Sequence, residues 1–434
     1  MDDRYTKTNP QLQQAYTCVH HKSGLDVYVL PKEGASTYAV FATRYGSVDR
    51  DFVTADGQTV RVPDGVAHFL EHKMFEQEDG TDAFVRFSET GADANAYTTF
   101  DHTAYLFTCT DHFAESLAHL LQFVTHPYFT DANVAKEQGI IGEEIRMGED
   151  NPNDRVFYAL MENLYAEHTI RIPVAGTVES IAPITPQILY QIYHTFYNLH
   201  NMVLCVCGNV TTEEVLRVCD EQLQPQPPCP VKRLYAEESP VVFCKRSKKQ
   251  MQVARPLFSI GWKLPPLPQD QKACLLAQCA QAVLEGVLFG ECGDLYQHLY
   301  ETGKLSQMLS VESKQAQTYA FCVVSGEADD PEEIYDAVTD AIRKMKAQGM
   351  DPTLFEAVKR SLYASQVRML DSVENLGNQF VESLMDGTDL FDVLDALAQL
   401  TYADVMTALE PYCDEKRMAM SVIEPLPTEK DHRI

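Results

Sequence analysis

Short runs of apolar residues predict strands in both halves of this 434-residue chain. They are rich in Val, Ile, Tyr, Phe and Thr, which is typical of buried or half-buried strands. The predicted strands cover residues 26–30, 38–45, 202–207, 257–262 and 319–324. Helical periodicity marks residues 273–284 and 352–373. Each half reads as strands, then long helices, then a strand, so the predicted fold class is α+β.

A proline-rich stretch near the middle of the chain separates the two halves. It begins Gln224-Pro-Gln-Pro-Pro-Cys-Pro and continues to Pro240 with weak periodicity, which is typical of a connection between domains. A chain of this length exceeds one ordinary hydrophobic core, so two domains are expected. We predict an N-terminal domain over residues 1–223, a linker over 224–243 and a C-terminal domain over 244–434.

The formal net charge of −28 argues against nucleic acid and anionic membrane surfaces as partners. An acidic chamber that favours basic peptides and plain solubility are alternative explanations of this excess. The twelve cysteines are irregularly spaced, which argues against a disulfide framework and favours a reducing cytoplasm. No signal-peptide core follows the amino terminus, and no bilayer-spanning run is expected. The predicted location is cytoplasmic, away from membranes.

The segment His68-Phe-Leu-Glu-His72 places two imidazoles and a carboxylate on one side of a predicted helix. At 100° per residue, His68 and His72 lie about 40° apart, and Glu71 lies about 60° to the other side of His68. Two histidines one turn apart can share a Zn²⁺, and a nearby glutamate can reach the water that the metal activates. A surface helix that happens to carry two histidines is the alternative.

The residues around this motif favour the metal. Asp64 is the predicted N-cap, and Gly65 allows close packing where the helix begins. The helix is apolar around most of its circumference, so it should be buried, and buried histidines and glutamates need partners or a metal. The apolar residues are Val66, Ala67, Phe69, Leu70, Met74 and Phe75.

A catalytic zinc site usually has three protein ligands, and a second predicted helix offers the third. Glu137 and Glu144 are seven residues apart and share one stripe of that helix, whereas Glu143 points about 100° away and should be solvated. Ile140, Ile141 and Met147 lie near the same stripe, which predicts that it is buried. A buried carboxylate is costly unless it is paired or binds metal, so Glu144 is the predicted ligand and Glu137 supports the site. Two surface glutamates of an acidic protein are the alternative.

These residues resemble the insulinase-type (M16) metallopeptidases, which include pitrilysin and the mitochondrial processing peptidase. The resemblance rests on the H-x-x-E-H segment and the E-x₆-E pair, and it extends over essentially the whole chain. It implies one Zn²⁺ per chain bound by His68, His72 and Glu144, with Glu71 as the catalytic base and Glu137 as a supporting acid. It also implies two related α/β halves arranged as a clam-shell, the second degenerate and without metal.

Asn95-Ala96-Tyr97-Thr98 resembles the N-A-x-T edge strand of that family, which pairs with the substrate backbone. Residues 97–107 are rich in Thr, Tyr and Phe and predict a strand, and an unpaired strand edge can bind an extended peptide. Asn95, Ala96 and Thr98 are therefore predicted substrate-binding residues. A plain sheet strand is the alternative.

Two functions follow from the resemblance. The first is a zinc metalloendopeptidase acting on peptides or unfolded segments, as a homodimer or as a heterodimer with a related subunit. The second is a non-catalytic or weakly active assembly subunit. Tyr300 and Gln307 stand where family members carry an Arg and a Tyr that hold the substrate, which favours the second function. The complete set of zinc residues favours the first.

Overall fold

Every strand predicted from an apolar run is present in the computed structural model, which describes residues 3–34, 36–305 and 307–427. The predicted ends of these strands differ from the observed ones by at most three residues. The strands of the described residues are β1 (Asp3–Asn9), β2 (Gln14–His20), β3 (Asp26–Pro31), β4 (Thr37–Thr43), β5 (Asp51–Val53), β6 (Thr59–Arg61), β7 (Asp93–Thr98), β8 (Thr103–Cys109), β9 (Met202–Gly208), β10 (Lys232–Leu234), β11 (Arg246–Met251), β12 (Leu257–Lys263), β13 (Ser310–Gln315), β14 (Ala320–Glu327) and β15 (Met418–Pro425).

The α-helices include both of the predicted helical stretches, but one of these is interrupted. The helix predicted over 352–373 ends at Met369, and the next helix starts at Val373 because Ser372 caps it by accepting a hydrogen bond from the Asn375 N–H. The helices are α1 (Val66–Met74), α2 (Ala83–Glu89), α3 (Phe113–Thr125), α4 (Asp131–Asp150), α5 (Pro152–Leu164), α6 (Val178–Ile181), α7 (Pro186–Phe196), α8 (Thr212–Gln222), α9 (Gln271–Phe289), α10 (Asp294–Glu301), α11 (Pro331–Gln348), α12 (Pro352–Met369), α13 (Val373–Met385), α14 (Val393–Gln399) and α15 (Tyr402–Ala408).

The elements form two compact units that are not continuous halves of the chain. The first unit contains Met1–Ile145, Pro173–Tyr235 and Val367–Phe391. The second contains Arg146–Ile172, Ala236–Gln366 and Asp392–Ile434. The chain passes from the first unit to the second at Tyr235–Ala236, inside the predicted linker, but each unit also takes a helical segment from the other half of the sequence.

The first unit is built on a seven-stranded sheet in the order β1-β2-β3-β9-β4-β8-β7. Only the β3–β9 pairing is parallel, and the other pairings are antiparallel. Helix α13 packs against β4 and β9, where the ring of Tyr38 approaches Gly377 so closely that a Cβ there would lie 2.6 Å from it. This close packing places residues 367–391 with the first unit, although they are distant in sequence.

The second unit is built on a five-stranded sheet in the order β11-β15-β12-β14-β13. Its β11–β15 pairing is parallel, and the remaining pairings are antiparallel. Helix α5 packs against β12 and β15, and Leu160 lies over Gly261, where a side chain would leave no room for it. The segment 146–172 therefore belongs to this unit because α5 covers its sheet.

Part of the predicted linker is a strand. β10 pairs with β5 in a three-stranded sheet of the first unit. Arg233 and Tyr235 reach the buried carboxylate of Asp49, at 3.0 Å from the Arg233 Nε and 2.7 Å from the Tyr235 hydroxyl. A buried charge needs such partners, so this segment is tied to the first unit.

One stretch, Gln271–Glu301, reaches the length and mean hydropathy of a membrane span, contrary to the expectation that no run would. Just over half of its apolar window, 56%, is buried within the protein. Core helices of globular proteins pass the same test, and α9 packs against α14 and α15. The absence of a membrane partner stays a prediction.

Acid should destabilise the second unit through Glu238. Its side chain is 10% exposed and accepts hydrogen bonds from Lys263, at 2.7 Å, and from the backbone N–H groups of residues 166–168. Burial alone would raise the pKa of Glu238, but these donors lower it from its usual 4.5 to about 2. A depressed pKa contributes stability above the unfolded value, which is lost as the pH falls from about 4.5 towards about 2.

We therefore expect Glu238→Gln to lower the free energy of unfolding by about 3 kcal/mol at neutral pH, because it leaves the buried Lys263 ammonium unpaired. Urea unfolding from pH 7 to pH 2 measures this difference, which should shrink below about pH 4.5. Glu237→Gln, a change at an exposed neighbour, is the matched control and should match the wild type. A difference between wild type and Glu238→Gln that stays constant with pH would contradict this assignment.

Candidate metal centre

Helix α1, which carries the H-x-x-E-H segment, begins at a glycine that no other residue could replace without strain. Gly65 has φ of +89°, and a Cβ there would lie 2.4 Å from the carbonyl oxygen of Ala175. The prediction that Asp64 caps the helix is wrong, since Gly65 is the N-cap and no side chain caps it. The Asp64 carboxylate instead pairs with Arg50 at 3.5 Å. The prediction of close packing at Gly65 is confirmed.

The apolar surface of α1 buries the helix and leaves its two imidazoles together on one side. All of the predicted apolar positions of this segment are buried. The rings of His68 and His72 lie 4.6 Å apart between centroids. Their Nε2 atoms face the same carboxylate, at 3.5 Å from His68 to Oε1 of Glu144 and 3.6 Å from His72 to Oε2.

Helix α4 supplies that carboxylate, but its buried face is not the predicted one. Val134, Glu137, Ile141 and Ile145 are buried, whereas Ile140 and Met147 are 48% and 73% exposed. At 100° per residue, Ile140 and Met147 lie about 100° or more from the centre of the buried face, and Glu144 lies at its margin. Glu137 is therefore buried and Glu144 half exposed, while Glu143 is exposed as predicted.

The spacing of these donors fits a tetrahedral zinc ion. One ligand atom from each of His68, His72 and Glu144 lies within 4.8 Å of the others, and no second such group occurs within residues 3–34, 36–305 and 307–427. Zinc ligands at 2.0–2.2 Å in a tetrahedron lie about 3.3–3.6 Å from one another. Each histidine Nε2 lies at about that distance from a different oxygen of the Glu144 carboxylate, at 3.5 and 3.6 Å, and both distances exceed the length of a strong charge-assisted hydrogen bond. The residues therefore fit the metal.

The charges around the site also suit a cation. Interaction with His68 is the main reason that the pKa of Glu144 is lowered. Burial tends to raise the pKa of Glu137, but the His72 hydrogen bond and the Lys73 charge outweigh it, so that pKa is lowered too. Burial likewise opposes charge on His72, but the surrounding carboxylates of Glu137, Glu71 and Glu144 raise its pKa. The acids are thus held as carboxylates at neutral pH.

Glu137 lies behind the candidate ligands and contacts one of them. Its Oε1 lies 3.2 Å from His72 Nδ1. Since a carboxylate can only accept, Nδ1 carries the proton and Nε2 is left with its lone pair for a metal. His68 Nδ1 is buried and has no protein partner among the described residues.

Glu71 is buried beside the histidines and is held by a residue from the sheet. The Thr98 hydroxyl donates a hydrogen bond of 2.6 Å to Oε2 of Glu71. Thr98 ends β7, which is one of the two outer strands of the seven-stranded sheet among the described residues. Sequence reasoning assigned Thr98 only to substrate binding and missed this contact, because nothing in the sequence fixes which side chain of β7 points at α1.

The single strand predicted over 97–107 is wrong, because it contains a tight turn. β7 ends at Thr98 and β8 begins at Thr103, and between them the Thr99 hydroxyl accepts hydrogen bonds from the backbone N–H groups of Asp101 and His102. Of the predicted substrate-binding residues, Asn95 is exposed and Ala96 is half-buried. The edge position expected for this strand is confirmed.

On the predicted role of Glu71 as catalytic base, we expect Thr98→Val to lower peptide turnover about tenfold, since a hydrogen bond to a charged group contributes about 1.5–3 kcal/mol. The change keeps the side-chain shape and removes the hydroxyl that donates to Glu71, which also lies 3.3 Å from the Thr103 hydroxyl. Thr108→Val on β8, which removes a hydrogen bond to Glu374 in the same unit, is the matched control. Steady-state kinetics on one peptide measures both, and equal rates for the two variants would remove Thr98 from this role.

Tyr300 and Gln307 lie in the second unit. Tyr300 is exposed on α10 and stacks on Tyr296, with ring centroids 5.9 Å apart, and Gln307 is exposed. Ser306, beside Gln307, lies outside the described residues. The expectation that they replace substrate-holding residues stays a prediction.

Comparison with known proteins gives the same family for both parts of the chain. The family model "Insulinase (Peptidase family M16)" matches residues 61–178, and "Peptidase M16 inactive domain" matches residues 183–362. An uncharacterized zinc protease of Bacillus subtilis, YmfH, is 37% identical over 96% of this chain and 98% of its own length.

Two solved structures extend the comparison to the fold. The crystal structure of an M16-like peptidase from Alicyclobacillus acidocaldarius superposes with a TM-score of 0.93 at 34% identity, covering 96% of this chain and 100% of the other. A protease from Helicobacter pylori shares the fold at 17% identity, with a TM-score of 0.81 over 98% of this chain and 100% of its own. The α+β fold with two related halves is thereby confirmed, and the chain belongs to the insulinase family of peptidases, M16.

Proposed function

We propose that this chain is a zinc-dependent metalloendopeptidase that hydrolyses peptide bonds in peptides or unfolded segments. The observation that carries the proposal is the convergence of His68 Nε2, His72 Nε2 and the Glu144 carboxylate at the spacing of zinc ligands, with Glu71 on the same helix. The family of the chain and the zinc-protease name of its Bacillus relative support it.

Zinc held by these three residues would supply a Lewis acid that lowers the pKa of water and polarises the scissile carbonyl. Glu71 then acts as the general base that takes the proton from the attacking water and passes it to the leaving amine. The Thr98 hydroxyl donates to Oε2 of Glu71, and the more available Oε1 is the oxygen proposed to exchange the proton. The buried position of Glu71 keeps its carboxylate fixed while it does so.

The substrate would lie along β7 as an extended strand. Backbone N–H and C=O groups at a sheet edge bind a peptide without reading its sequence, which suits a peptidase with broad substrates. β7 leads directly to Thr98 and hence to Glu71, so a peptide paired with it would pass the catalytic carboxylate. Folded proteins offer no free strand of this kind, which is why peptides and unfolded segments are the proposed substrates.

Metal analysis combined with peptide cleavage tests the proposal. We expect about one zinc per chain, cleavage of an internally quenched unstructured peptide, loss of cleavage with a chelator and recovery on adding Zn²⁺. Zinc bound at one per chain without cleavage of any unstructured peptide would favour the non-catalytic assembly subunit instead. Inactive family members of that kind typically lose the zinc residues, which this chain retains.

A further inference from the structure

A lysine directly after the zinc motif is completely buried. The Lys73 side chain has 0% exposure, which is rare for an ammonium group because removing it from water is costly. Its Nζ donates a hydrogen bond of 2.8 Å to Glu76 and lies 3.5 Å from Oε2 of Glu137. A charge buried in this way is expected to stabilise the carboxylates that surround it.

The two oxygens of the Glu137 carboxylate contact different partners. Oε1 of Glu137 accepts from His72 Nδ1, while Oε2 faces the Lys73 ammonium. Glu137 is itself buried, so without a cation at Oε2 its charged form would lack compensation. The ammonium therefore holds the Glu137 carboxylate in the orientation that meets His72.

Glu76, the other carboxylate that contacts Lys73, also has a second basic partner. Glu76 receives Lys73 and also lies 3.7 Å from the ammonium of Lys136, so charges alternate along Lys136, Glu76, Lys73 and Glu137 up to the ring of His72. Packing alone does not explain a lysine here, because Met74 and the other apolar residues of α1 fill such positions without a desolvation cost.

We propose that Lys73 is a positioning residue of the zinc centre, which fixes Glu137 against His72 and thereby presents the His72 Nε2 lone pair to the metal. This inference rests on the proposed metal site and goes beyond it by assigning a residue that touches neither metal nor substrate. Removing a partner behind a metal ligand typically lowers metal affinity 10–100-fold.

The test is a double-mutant cycle on zinc affinity, measured by competition with a chelating dye. Lys73→Met keeps an unbranched side chain that is one heavy atom shorter and lacks the charge, and it should weaken zinc binding about 10–100-fold. Glu137→Gln should weaken it by a similar factor, and Lys73→Met combined with Glu137→Gln should bind zinc no more weakly than Glu137→Gln alone. Lys263→Met, a change at the buried lysine of the second unit, should lower stability and leave zinc affinity unchanged.

Unchanged zinc affinity in Lys73→Met would overturn the proposal, and so would a full additional loss in the double variant. If Lys73→Met does not fold, the double variant can still overturn the proposal through a full additional loss relative to Glu137→Gln, since a buried pair replaced by neutral groups is usually tolerated. Zinc binding is measured without turnover. A wild type that binds zinc but cleaves nothing would therefore end the peptidase proposal and leave this one intact, and a wild type that binds no zinc would end both.

Discussion

Glu71→Gln should reduce peptide turnover by about 10²–10⁴-fold while zinc stays bound at about one per chain. The substitution keeps the shape of the side chain, so the Thr98 hydroxyl can still donate to the amide oxygen. It removes the carboxylate assigned as the base, whereas Glu137, the other acid beside the histidines that is not assigned to the metal, is engaged by His72 and Lys73. The proton of the attacking water then has no acceptor, and kcat should fall with little change in KM.

Steady-state kinetics measures the loss of turnover, and metal analysis on the same sample measures the zinc that stays bound. Glu143→Gln is the matched control, because Glu143 is an exposed acid of α4 next to Glu144 and outside the proposed site. It should keep wild-type turnover. Turnover by Glu71→Gln within a factor of ten of the wild type would exclude Glu71 as the base.

Glu144→Gln should lower zinc affinity by more than the 10–100-fold expected when a residue behind a ligand is removed. The reason is that Glu144 is the proposed ligand that faces both histidines and would supply the negative charge. Saturating zinc should therefore raise the Tm of the wild type and raise that of Glu144→Gln much less, because stabilisation by a ligand follows its affinity for the folded state.

Calorimetry with and without Zn²⁺ measures these shifts, again with Glu143→Gln as the control. The metal-free proteins should unfold at similar temperatures, since the Glu144 side chain is half exposed and contributes little packing. An equal zinc-dependent shift in Glu144→Gln and the wild type would show that another residue completes the metal site.

Local patterns predicted only part of the fold, since apolar runs indicated five of the strands and periodicity indicated two further helical stretches. Strands such as β9 and β12 are buried along their whole length and appear in the sequence as unbroken apolar runs. Which segments of the chain form each of the two units could not be predicted from local patterns. Tyr38 packing on Gly377 and Leu160 packing on Gly261 are contacts between distant segments, and no local pattern in the sequence indicates them.

The parts of the candidate site that could be predicted are the pairs of residues that lie on the same helix. The spacing of His68 and His72 follows from helix geometry, and so does the relation of Glu137 to Glu144. Ile140 and Met147 were wrongly predicted to be buried. Apolar residues near the stripe of Glu137 and Glu144 do not show which side of that stripe faces the core.

Two residues that hold the site in place were missed for a different reason. Thr98 acts on Glu71 from a strand, and Lys73 acts on Glu137 from another helix, so both depend on tertiary contacts. For Lys73 a signal was present, because a lysine on a helix that is apolar nearly all round predicts a buried acid as its partner.

The most direct test of the proposed zinc site is a crystal structure of zinc-loaded protein with anomalous diffraction data at the zinc edge. We expect one strong anomalous peak on the first unit, about 2.0–2.2 Å from His68 Nε2, His72 Nε2 and a Glu144 oxygen. A peak that lies away from these three atoms, or none at all in crystals grown with zinc, would contradict it.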